Sequence, residues 1–204
     1  HRRLSILDLS PAGAQPMVDP VTGHVVVFNG EIYNFGDLRR RLVAEGQEFK
    51  STGDTAIMLR ALGLHGPSAV SWLRGMFAFA CWDPKQRRLL LARDPLGIKP
   101  LYVMRATDPN AEWSIAFASE LRALLASGLL GTPQLDPQAV ASCVWNGFVT
   151  GPNSAVKGVE LMWPGSLLEL DGRGREVRQE TYWSIPERAP DPTMDEDGLA
   201  AILE

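Results

Sequence analysis

Five strand-length segments of this chain are apolar almost without a break: residues 25–28, 76–82, 89–92, 115–118 and 166–170. Most are bounded by Gly, Pro, Asn or Asp, and their length marks them as strands. A strand with one face in water alternates apolar and polar residues; an unbroken apolar strand is covered on both faces. The chain is therefore expected to form stacked sheets with helices outside them. The helical signals lie between the strands. Asn34 can cap a helix that carries Asp37 in its first turn, buries Phe35, Leu38 and Leu42 on one face, and stops at Gly46. A second helix is expected from about residue 54 to 64 with Ile57, Met58, Ala61 and Leu62 inward, and shorter ones near 120–126 and 137–145.

The 204 residues suit one domain plus a tail. With 20 Lys and Arg against 24 Asp and Glu, the net charge of -4 gives no electrostatic reason to expect nucleic acid or an anionic membrane as partner. No apolar run is long enough to span a bilayer. Cys81 sits in an apolar run and reads as a buried free thiol; with Cys143 it forms neither a disulfide framework nor a zinc spacing. No metal site is expected, and a reducing cytoplasmic location fits. The chain opens at His1 without Met, in what reads as mid-strand, so its N-terminus is expected to be incomplete. Residues 184–198, with Pro186, Pro190, Pro192 and the acids Asp195, Glu196 and Asp197, read as a linker. Residues 199–204 resume a helical pattern, as if a further domain began there.

Four polar clusters carry chemistry. They are Arg3-Leu4-Ser5-Ile6, Phe28-Asn29-Gly30-Glu31-Ile32-Tyr33-Asn34, Ser51-Thr52-Gly53-Asp54, and the run from Ala92-Arg93-Asp94-Pro95 to Tyr102. Asn29-Gly30, where a buried strand is expected to meet a turn, could aim a side-chain amide and a backbone N–H at one oxyanion. An Arg and an Asp could hold the two end charges of an amino acid in a partly dry pocket. Singly, each has a plainer explanation: a hairpin turn for Asn29-Gly30, a helix cap for Asp54, a surface charge for Arg3, an ion pair or turn for Arg93-Asp94.

Together with Arg74-Gly75-Met76-Phe77-Ala78-Phe79-Ala80, Phe117-Ala118-Ser119-Glu120-Leu121, Leu161-Met162-Trp163-Pro164-Gly165 and Thr181-Tyr182-Trp183, these runs resemble the class II glutamine amidotransferase domain of bacterial glutamine-hydrolysing asparagine synthetases over residues 1–183. The resemblance implies an α+β fold, a four-layer αββα sandwich of the N-terminal-nucleophile hydrolase type, here lacking its first strand or strands. It implies that an N-terminal Cys attacks the side-chain amide of glutamine, its own α-amine serving as base, and that ammonia leaves before a glutamyl thioester is hydrolysed. Carried onto this sequence, Arg3 would hold the glutamine α-carboxylate and Leu4 and Ile6 would line the wall. Asn29 and Gly30 would form the oxyanion hole, Glu31 would line the pocket, and Asp54 would hold the α-ammonium. No catalytic Cys of that kind is present in the chain, which is expected to be inactive alone.

The glutaminase domain needs no cofactor in this family. ATP and magnesium belong to a synthetase domain whose Ser-Gly-Gly-x-Asp-Ser loop this sequence does not contain. That domain would be the intramolecular partner, receiving ammonia for the amidation of aspartate. Such proteins are often homodimers. Gly53 and Ala56 depart from the family's Ser-Asp-x-Glu and remove two polar groups beside Asp54. Alternatives are an amidotransferase of the same architecture acting on another carboxylate, and a non-hydrolytic module of the kind found in β-lactam synthetases. More distant ones are the amidophosphoribosyltransferase and glucosamine-phosphate synthase types.

Overall fold

The computed structural model describes residues 13–49, 51 and 53–186. Arg3, Leu4 and Ile6, and with them any strand before residue 13, lie outside the described residues, as do the end of the proline-rich segment and residues 199–204.

The described residues form two antiparallel sheets and four helices. In chain order they are β1 (Met17–Val18), β2 (Val25–Ile32), α1 (Phe35–Ala44), α2 (Asp54–His65), a 3-10 stretch (Gly66–Trp72), β3 (Gly75–Asp83), β4 (Arg88–Arg93), β5 (Tyr102–Arg105) and β6 (Ile115–Ala118). There follow α3 (Leu121–Ala126), α4 (Pro137–Asn146), β7 (Val159–Leu161), β8 (Ser166–Asp171) and β9 (Glu176–Thr181). The larger sheet has the order β1-β2-β3-β4-β8-β9 and the smaller the order β6-β5-β7.

Strand alternation sorts the apolar side chains into three cores. On one face of the large sheet, Val26, Phe28, Phe77, Phe79, Leu90 and Leu167 pack against Leu38 and Leu42 of α1 and Ile57, Met58 and Leu62 of α2. On its other face, Val27, Ala78, Ala80, Leu91, Leu168 and Leu170 meet Leu101, Val103 and Phe117 of the small sheet and its approach. The outer face of the small sheet, with Met104 and Val159, is covered by Leu121, Leu124 and Leu125 of α3. The layers thus run helices, sheet, sheet, helix. This is the αββα sandwich, and it explains why the strands are apolar on both faces.

Two local expectations change. Asn34 stands at the N-cap of α1, but its side chain does not cap the helix. Its amide donates to the carbonyl of Trp72 at 2.9 Å and accepts from the N–H of Arg74 at 2.9 Å, tying α1 to the entry of β3. α2 buries Leu59 and Arg60 as well as its expected inner face. A buried guanidinium needs a partner, and Arg60 finds Asp19 in the β1–β2 turn, with N–O distances of 2.8–3.0 Å.

Candidate functional site

A cavity of about 1370 Å³ opens between the sheets at the end of β2. Its walls come from β2 (Val27 to Glu31), β3 (Ala78 to Ala80), the start of α2 (Asp54, Thr55), and the segment from Phe117 into α3. Gln15 and Pro16 close one side. Asn29, Gly30, Glu31 and Asp54 all line it.

Asn29-Gly30 is not a turn. β2 runs straight through it, with Asn29 opposite Ala78 and Gly30 opposite Phe77, and ends only at Ile32 opposite Gly75. The pairing continues because both strands carry glycine where the backbones close up. A Cβ on Gly30 (φ +151°) would stand 2.1 Å from the carbonyl oxygen of Met76, and one on Gly75 (φ +156°) would stand 2.1 Å from that of Glu31. Each glycine is therefore required by a close backbone approach.

The register also decides where the Gly30 N–H points. Residues facing each other in an antiparallel pair turn their N–H and C=O either both toward or both away from the partner. Phe77 gives its N–H and C=O to Asp94 on the β4 side, at 3.2 and 2.8 Å. Gly30 therefore turns its own toward the opposite edge of β2. β1 covers that edge only at Val25 and Val26. Beyond it, alternate N–H groups take side-chain acceptors: Phe28 donates to Gln15 Oε1 at 2.6 Å, and Ile32 donates to Asp54 Oδ2 at 2.9 Å. The Gly30 N–H lies between these two and has no acceptor recorded among the described residues.

The Asn29 side chain emerges on the inter-sheet face, and its Nδ2 donates to Ser119 Oγ at 3.1 Å. Asp54 is 4% exposed. Its Oδ1 accepts from the Thr55 N–H at 2.7 Å and from Thr55 Oγ1 at 3.2 Å, while Oδ2 holds Ile32. Asp54 is the first residue of α2, after Gly53 at the N-cap. It is thus a tie between helix and strand instead of a plain cap, and the positive end of the helix dipole favours its charge. No Lys, Arg or His forms an ion pair with it among the described residues; Arg122, also on the cavity wall, is paired with Glu120.

Of the fourth sequence cluster only Leu101 lines the cavity. Arg93 and Asp94 organise the following loop separately. Arg93 donates to the carbonyls of Lys99, Met162 and Gly97 at 2.5–2.9 Å. Asp94, 1% exposed, accepts from the N–H groups of Phe77, Leu96, Ile98 and Lys99. Neither thiol lines the cavity. Cys81 packs in the helix-side core, where burial pushes its thiol up to about 12, and Cys143 is exposed on α4.

Residues 1–183 match the family model of a glutamine amidotransferase domain. The chain belongs to this family. Among curated proteins, this amidotransferase domain is 35% identical over 182 residues to asparagine synthetase [glutamine-hydrolyzing] 1 of Bacillus subtilis, covering 89% of this chain and 27% of that protein. It is 32% identical to a putative asparagine synthetase [glutamine-hydrolyzing] 2 of Methanocaldococcus jannaschii, covering 93% of this chain and 38% of that protein. It is 33% identical to amidase chry2 of Gibberella zeae, covering 98% and 28%. The chain thus spans roughly a third of the length of these relatives. Among solved structures, the glutamine phosphoribosylpyrophosphate amidotransferase of B. subtilis superposes with a TM-score of 0.52 at 19% identity, covering 84% of this chain and 32% of that one. The shared fold is that of the N-terminal-nucleophile amidotransferases. Among the described residues, no helix is long and apolar enough to cross a membrane.

Gln15, Thr55 and Ser119 are among the cavity residues that sequence patterning missed. Ser119 lies inside the quoted Phe117-Ala118-Ser119-Glu120-Leu121 run, but nothing local distinguishes a hydroxyl that faces Asn29 from one that faces water.

Proposed function

We propose that this domain hydrolyses glutamine to glutamate and ammonia, and that the ammonia serves an ATP-dependent synthetase domain that converts aspartate to asparagine. The observation that carries the first step is a convergence. The Asn29 amide, the Gly30 N–H and the buried Asp54 carboxylate, which has no cation partner among the described residues, all border one cavity. Attack on an amide carbonyl builds negative charge on its oxygen, and two fixed donors in a partly dry site stabilise that charge without reorganising. Asp54 has lone-pair capacity left beyond its three hydrogen bonds and is assigned to the substrate α-ammonium. Arg3 is assigned to the α-carboxylate, with Leu4 and Ile6 beside it and Glu31 on the wall. A peptide lacks one or both end charges and would leave a buried partner unpaired, so a free amino acid is preferred.

The attacking group is assigned to an N-terminal Cys thiol, since Cys81 and Cys143 are both away from the cavity. Residues 1–204 by themselves are then expected to release no glutamate. No cofactor is assigned to this step; ATP and magnesium are assigned to the synthetase reaction. The acceptor aspartate is inferred from the named asparagine synthetases among the relatives. The deciding experiment is Asn29→Ala in the full-length gene product. Loss of one oxyanion donor lowers kcat for glutamate release by about 10²–10³-fold. A rate within a few-fold of normal would remove Asn29 from that role.

A further inference from the structure

We infer that Ser119 is a positioning residue for amide hydrolysis, acting through Asn29. The inference rests on the glutamine-hydrolysis reading of the cavity and goes beyond it to a residue on the opposite sheet.

Asn29 projects from β2 into the layer between the sheets. Ser119 directly follows β6, the edge strand of the small sheet, and leads into α3. Their hydrogen bond of 3.1 Å spans 90 residues of sequence and crosses from one sheet to the other. It is the only side-chain hydrogen bond recorded for Asn29 among the described residues. An asparagine amide has two N–H hydrogens on one rigid plane. With one hydrogen committed to Ser119 Oγ, rotation of that plane is arrested, and the second hydrogen is held in a fixed direction at the cavity wall. Without an acceptor at Ser119, the terminal torsion is broad and nearly two-fold, and the carbonyl end of the amide can face the developing oxyanion instead of the donor end. A preorganised donor would become one that must reorganise during the reaction. Ser119 touches no reacting atom in this scheme.

The prediction is a specific pattern. In the full-length gene product, Ser119→Ala lowers kcat for glutamate release by about tenfold, a fraction of the loss expected from removing the donor itself. KM for glutamine stays within about twofold, since the amide acts on the transition state and not on the bound amino acid. Ser119→Thr, which keeps the hydroxyl, restores kcat to within about threefold. In an Asn29→Ala background, Ser119→Ala has no further effect, because the group it positions is gone. A general structural role would lower the rate in both backgrounds and would not be rescued by threonine. Two results would overturn the inference while leaving the oxyanion assignment intact. One is a normal kcat for Ser119→Ala beside a strongly impaired Asn29→Ala; the other is fully multiplicative losses in the double variant. A normal rate in Asn29→Ala itself would instead overturn the site assignment and this inference together.

Discussion

Asp54 ties β2 to α2 and is proposed to hold the substrate ammonium as well, and Asp54→Asn separates the two roles. Oδ2 accepts the Ile32 N–H at 2.9 Å, while Oδ1 accepts the Thr55 N–H at 2.7 Å and its hydroxyl at 3.2 Å. Asparagine has the same shape but only one oxygen. If that oxygen stays with Thr55, the new NH2 group faces the Ile32 N–H, donor against donor, in a site 4% exposed. An orphaned buried donor costs about 1–3 kcal/mol, so with the added repulsion a loss of about 2–3 kcal/mol is expected. That is a large share of the ~5–15 kcal/mol that holds a typical domain, but it leaves the protein folded. Urea unfolding followed by tryptophan fluorescence measures it. The second role is measured in the full-length gene product. Leaving an ammonium in the pocket without its buried counter-charge costs about 3–5 kcal/mol, equivalent to roughly 10²–10⁴-fold in KM for glutamine. Stability within about 0.5 kcal/mol of normal would refute the strand–helix tie, the expected loss being several times larger. Lost stability with unchanged KM would show that Asp54 serves the fold alone.

Three further outcomes are expected. Gly30→Ala forces a Cβ to within 2.1 Å of the Met76 carbonyl oxygen; β2 and β3 must separate, at a cost of about 3 kcal/mol or more, visible as a lowered Tm in calorimetry. Burial pushes the Asp19 carboxyl up, but hydrogen bonds from Arg60 and Thr22 outweigh it and hold the net value below the usual carboxylate range. The stabilisation from Asp19 is therefore complete above the unfolded value of about 3.9 and is lost as pH falls through the lower folded value. The difference in urea-unfolding free energy between the natural protein and Asp19→Asn should be about 3–5 kcal/mol near neutrality and shrink between about pH 5 and pH 2. A difference that did not change with pH would contradict the charged pairing. Finally, a thiol-specific disulfide reagent at pH 8 should modify exposed Cys143 and spare buried Cys81 until denaturant is added; rapid reaction of Cys81 in the native protein would show that its core opens.

Sequence alone determined the layers. Unbroken apolar runs such as 76–82 and 89–92, of strand length and with turn residues close by, read as strands covered on both faces, and the i, i+4 spacing of Leu38 and Leu42 marked the buried face of α1. It also placed Asn29, Gly30, Glu31 and Asp54 in the candidate site, and all four border the cavity. Tertiary structure decided how they are used. Asn29-Gly30 looked locally like a turn, but Gly75 across the ladder lets β2 continue to Ile32. Among the described residues the Gly30 N–H faces an edge of β2 left uncovered because β1, running antiparallel, begins only at Met17 opposite Val26, a fact about a neighbouring strand. Arg93 and Asp94 became two separate loop anchors that also reach Met162 and Phe77, and Arg60 turned inward to Asp19, partners distant in the chain. Hydrophobic periodicity reports which face of an element leaves water. It carries no information about which donor meets which acceptor across a sandwich, as Ser119 meets Asn29, because that depends on the register and edge of strands distant in sequence.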